Sequence, residues 1–60
     1  MNKSKEILIE FVVQGSVVKA TAVDPVTGME ASIVGPAHAG QTALAEAARR
    51  KLEYVLKKKG

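Results

Sequence analysis

His38 is the sequence's single histidine, and it sits in the small-residue run Gly35-Pro36-Ala37-His38-Ala39-Gly40. An imidazole titrates near neutrality and suits proton transfer, but this pattern places no carboxylate or nucleophile beside it. A solvated or helix-capping loop residue is therefore expected. The serines at 4, 16 and 32 have no general base set near them, and there is no cysteine. Glu6 and Glu10 would share one face of a strand. Four residues of extended chain hold them roughly 13 Å apart, too far for a paired-carboxylate site. The Gly-Pro-Ala-His-Ala-Gly run lacks the Lys-Ser/Thr and the glycine spacing of a phosphate loop. The expectation is no catalytic residue, no metal ligand, no cofactor and no small-molecule substrate.

Six of the nine Lys and Arg residues stand at positions 49 to 59: Arg49, Arg50, Lys51, Lys57, Lys58 and Lys59. Against them in the last twelve residues is only Glu53, while residues 1 to 48 carry three lysines and five acids. Cations in the last turns of a helix offset its macrodipole. Clustered cations are also the electrostatic footprint of phosphate or nucleic-acid binding. Arg50, Lys57, Lys58 and Lys59 are the candidate anion-binding residues, with Tyr54 among them. A tyrosine so placed is expected to lay its ring on the sheet margin and keep its hydroxyl wet.

The elements that must position these groups are few. Ile7, Ile9, Phe11 and Val13 make one wholly apolar face of a strand. Gly15-Ser16 suits a two-residue type II′ hairpin, because glycine takes positive φ at the first central position. That turn sets Gln14 against Val17, Phe11 against Ala20, Ile9 against Ala22 and Leu8 against Val23. Asp24-Pro25-Val26-Thr27-Gly28 reads as a second turn, with Asp capping, Pro presetting φ and Gly making the left-handed exit. It sets Ala22 against Ala31, Ala20 against Ile33 and Val18 against Gly35, so two separate turns agree on one apolar face.

Gly35-Pro36 closes the third strand, and from Gln41 the Ala, Leu, Glu, Arg and Lys content predicts a helix. Its apolar sector is Leu44, Ala45, Ala48, Leu52, Val55 and Leu56. Glu46 with Arg50, Arg49 with Glu53 and Glu53 with Lys57 are spaced for ion pairs on the outer side. The predicted fold is α+β, a three-stranded antiparallel meander (β-β-β) packed by one C-terminal helix. Residues 1–60 form a single domain, with a loose start at 1–4, strands over about 5–13, 17–24 and 29–35 and a helix over about 41–58. Phe11, Ile9, Ile33, Leu44, Leu52 and Val55 are the expected shared core.

Sixty residues bury only roughly 60% of the surface of the unfolded chain, so stability is marginal. Without cysteine or a zinc-ligand cluster, oligomerisation is the remaining staple. Apolar runs are too short to span a bilayer, and no signal-peptide pattern is present. The expected address is the cytoplasm, with no membrane partner. The face opposite the helix carries Leu8, Val12, Val17, Val23 and Val34, the candidate self-association residues, among Glu6, Glu10, Lys19, Thr21, Glu30 and Ser32. The first strand is a long edge without a proline or a central lysine.

Gly15-Ser16-Val17-Val18-Lys19, Asp24-Pro25-Val26-Thr27-Gly28, Ser32-Ile33-Val34-Gly35-Pro36 and Arg50-Lys51-Leu52-Glu53-Tyr54-Val55-Leu56 resemble a small uncharacterised family of alphaproteobacterial proteins. That family implies no site residues. The order strand-strand-strand-helix, ending in Ala47-Ala48 and Lys51-Leu52, is similar to the C-terminal part of a double-stranded-RNA-binding domain, which implies RNA binding by the last helix. That family's lysines begin the last helix, where this chain has Gly40-Gln41-Thr42. A non-enzymatic homodimeric interaction module is the expected function, and a weak anion or nucleic-acid binder using the basic helix end is the alternative.

Overall fold

The computed structural model describes residues 6–59, the side chain of Lys59 excepted. The expected loose start from Met1 to Ser4, and Lys5 with it, lie outside the described residues. The order is β1 (Leu8–Gln14), β2 (Val17–Val23), β3 (Glu30–Pro36), a 3-10 turn (Ala37–Ala39) and α1 (Gln41–Lys59). The strands form one antiparallel sheet with β2 at its centre.

Both hairpins hold the register that their turn residues dictate. Gly15 has φ +64°, while among the described residues none other than glycine takes positive φ; this is the type II′ pattern, with Gln14 opposite Val17. At the second turn Asp24 Oδ1 accepts the Val26 N–H at 2.9 Å. Its Oδ2 accepts the Thr27 hydroxyl at 3.2 Å, and Gly28 exits at φ +81°. The Asp24 N–H then donates to Met29 O at 2.8 Å, opening the β2–β3 ladder. Ala22 lies opposite Ala31, Ala20 opposite Ile33 and Val18 opposite Gly35. β1 starts at Leu8, later than expected. Val23 opposite Leu8 is the last residue of β2 before the Asp24 turn, so Ile7 has no strand residue to pair with.

Helix α1 packs over β3 and β2 and barely reaches β1. The link from Pro36 to Gln41 is the short 3-10 turn plus Gly40, too short to carry the helix across the sheet. The approach is close: a Cβ on Gly35 would lie 2.6 Å from Leu44 Cδ2. Alanines on the facing strands make that proximity possible. Ala20, Ala22, Ala31 and Val18 form the buried cluster with Leu44, Ala48 and Leu52.

The expected core is therefore displaced. Leu44 and Leu52 are at its centre, whereas Ile9, Phe11 and Ile33 are half-buried and pack on its margin, with Val55 half-buried on the helix. Val13, on the same face, is 63% exposed. For Ile9, Phe11 and Val13 the cause is where the helix sits, since the inward side chains of β1 have no helix directly above them.

Leu52 is the largest side chain with no exposed surface. Leu52→Ala is expected to cost about 2–5 kcal/mol, against about 5–15 kcal/mol for a whole small domain. It should abolish or greatly lower the cooperative thermal transition. Phe11→Ala should cost less, and a chain in which it lowered the melting temperature more than Leu52→Ala would contradict this core.

Candidate interaction surface

The groups with intrinsic chemistry are scattered. His38 is exposed in the 3-10 turn. The hydroxyls of Ser32 and Thr21 bond each other at 2.8 Å. Among the described residues no three His, Cys, Asp or Glu side chains are grouped to hold a metal ion.

The surfaces are more informative, and the two sheet edges differ. In an antiparallel ladder successive residues direct their backbone groups alternately to either side. The two-residue turn makes Gln14 and Val17 a hydrogen-bonded pair, so Leu8, Glu10, Val12 and Gln14 face β2. The N–H and C=O of Ile9, Phe11 and Val13 consequently point out of the sheet. On β3 the same alternation turns Ser32, Val34 and Pro36 outward. Lys51 Nζ donates to Ser32 O at 2.9 Å, and Pro36 has no N–H, so this edge is blunted by a lysine and a proline. Nothing comparable occupies the β1 edge among the described residues.

The outer face is less continuous than its composition suggests. Leu8, Val23 and Glu30 form one row across the sheet, Glu10, Thr21 and Ser32 the next, then Val12, Lys19 and Val34, then Gln14, Val17 and Pro36. The Glu10–Thr21–Ser32 row separates Leu8 and Val23 from Val12, Val17 and Val34, and Lys19 stands between Val12 and Val34. Leu8, Val12, Val17 and Val34 are exposed, whereas Val23 is half-buried. The structure thus brings the candidate self-association residues onto one face but in two patches.

On the inner face the β1 stripe is continuous. Ile7 and Ile9 border an open depression walled by Thr42, Ala45, Glu46 and Arg49 of α1. Phe11 and Val13 prolong the stripe towards the first hairpin.

Arg50, Lys57 and Lys58 all lie exposed on α1; the side chain of Lys59 lies outside those described. Among the expected ion pairs of the described residues, Glu46 and Arg50 approach to 3.9 Å with both side chains largely exposed, a contact of small energetic value. The expectation for Tyr54 needs correction. The residue is 62% exposed, and Lys58 Nζ lies over its ring at 5.7 Å from the centroid. It points off the helix because the sheet beneath that turn is already occupied by Leu52 and Leu56.

Residues 4–59 match the model of a domain of unknown function, DUF6898. The chain belongs to that family. No curated protein and no solved structure matches it. No helix among the described residues is long and apolar enough to cross a membrane.

Residue types and spacing alone show neither the half-covered inner stripe of β1 nor the Lys51 cap on β3. The short Pro36–Gln41 link held the signal for the first. Nothing in the residue pattern pointed to Lys51 over its neighbours.

Amide exchange checks the edge assignment. In dilute protein the N–H groups of Glu10 and Val12 should be protected by the β1–β2 ladder, and those of Ile9, Phe11 and Val13 should exchange rapidly. Equal protection of all five in the monomer would contradict the alternation described.

Proposed function

We propose that this chain is a non-enzymatic interaction module that forms a homodimer by pairing β1 with β1 of a second copy. The observation that carries this reading is the asymmetry of the sheet: β3 is blunted by Lys51 and Pro36, while β1 offers Ile9, Phe11 and Val13 with backbone groups that no other described residue engages and an incompletely covered apolar face. A second copy supplies both missing partners at once. Closed two-fold pairing also uses up the open edge, which otherwise templates indefinite association.

The strand is compatible with itself in antiparallel register. With Phe11 opposite the partner's Phe11, Ile9 meets Val13 and Glu10 meets Val12, so apolar residues stay on the helix side and no like charges oppose each other. Shifting the two-fold to Glu10 would set two carboxylates face to face, which is destabilising. The outward N–H and C=O of Phe11 suit the first register, because a hydrogen-bonded pair exchanges both groups. The product is a six-stranded sheet with both helices on one side.

Stacking through the outer face is the competing arrangement, and variants separate the two. Val13→Pro removes an outward donor while leaving the β1–β2 ladder intact, so it should yield a folded monomer by sedimentation equilibrium. Val34→Lys, far from β1, should leave the dimer unchanged. Val12→Lys, placed opposite the partner's Glu10, should tighten association, and Val12→Glu should weaken it, each pair by about 0.2–1 kcal/mol. A dimer that survives Val13→Pro and is dissolved by Val34→Lys would overturn edge pairing. A wild-type chain that stays monomeric at millimolar concentration would overturn self-association altogether.

A further inference from the structure

We propose that the exposed side of α1 around Tyr54 binds single-stranded nucleic acid, with one unpaired base stacked on the Tyr54 ring and the flanking phosphates held by Arg50, Lys57 and Lys58. The proposal does not depend on dimer formation. Lys51 reaches β3, and Tyr54 and Lys58, at three and seven residues further on, share that flank of the helix, on the side of the sheet away from β1.

A tyrosine ring in a domain with two aromatic residues in all has every reason to be used in the core. This one is 62% exposed. It is surrounded by positive charge: Lys58 Nζ lies 5.7 Å from the ring centroid, and Arg50, Glu53, Tyr54, Leu56 and Lys57 line a shallow open depression. Among the described residues Arg50 is held only by the long, exposed contact to Glu46 at 3.9 Å, which a phosphate can displace. Glu53 is the one acid in the depression. An aromatic platform flanked by cations is the arrangement that holds single strands, because every base has a stacking face and every nucleotide a phosphate. A duplex offers the phosphates but no free base face, and an anionic lipid surface offers no flat partner for the ring. Specific base readout is not part of the proposal, since no Asn stands in the depression and its side chains leave few hydrogen-bonding groups once the phosphates are held.

The test is fluorescence anisotropy with a labelled oligothymidylate, an inorganic polyphosphate of matched charge and a duplex of the same length. Neutralising the phosphates at Arg50, Lys57 and Lys58 should make the affinity fall about 100-fold for each tenfold rise in salt. Tyr54→Ala should weaken oligonucleotide binding about 5- to 150-fold, the range for loss of one stacked base, and Tyr54→Phe should leave it within about twofold. Because the ring is exposed, neither change endangers the fold, and circular dichroism verifies this. The single strand should bind more tightly than the duplex or the polyphosphate. Absence of binding at low salt, an unaltered affinity in Tyr54→Ala, or equal affinity for polyphosphate would each overturn the proposal.

Discussion

A single helix about 10 Å across can lie over two strands spaced about 4.8 Å apart, and a third strand falls outside its shadow. In this chain the two covered strands are β2 and β3, because the short link after Pro36 starts the helix above β3. The pairing of Gly35 with Leu44 fixes how near the two layers come, and the alanines at 20, 22, 31 and 48 let Leu44 and Leu52 fill the space between them. β1 receives its hydrogen bonds from β2 on one side and is left with an open edge and a partly open apolar stripe. The proposed dimer rests on that geometry: the strand that the helix barely reaches is the strand whose edge is open among the described residues.

The same constraint explains which charges have structural work. Lys51 leaves the helix on the side of β3 and closes the one edge within its reach. Arg49 and Glu46 stand on the other flank, along the depression that opens over Ile7 and Ile9. The cations further along α1 extend beyond the last fully buried side chain, Leu52, and there the helix presents Tyr54 and its lysine to solvent. One helix thus has a flank that completes the sheet, a flank that leaves it open and a far end whose Tyr54, Lys57 and Lys58 are exposed.

The sheet was legible from sequence because its turns carry their own geometry. Gly15 and Gly28 hold the positive φ that their hairpins need, and Asp24 makes the turn bonds its type makes elsewhere, so both registers follow from local chemistry. The core was legible only in composition. The agreement of two turns on one apolar face put Phe11, Ile9 and Ile33 in the expected core with Leu44 and Leu52; the two leucines are central, but their buried neighbours are the smaller residues Val18, Ala20, Ala22, Ala31 and Ala48, which admit the helix. The candidate outer-face residues were assigned to the right face, but a count of valines does not show that Glu10, Thr21 and Ser32 cut across them. The Lys51 cap and the exposure of Tyr54 depend on the rotation of α1 over the sheet, a tertiary quantity that helical periodicity resolves only to a sector.

Isotope-filtered nuclear Overhauser spectroscopy on a mixed labelled and unlabelled sample measures the central claim most directly. In the Phe11-centred register Glu10 and Val12 of opposite copies form a non-hydrogen-bonded pair, which brings their Cα atoms to about 4.5 Å and their Hα atoms closer still. An intermolecular cross-peak between Glu10 Hα and Val12 Hα is the predicted result. Intermolecular cross-peaks confined to the methyl groups of Val17 and Val34, with none along β1, would contradict the account.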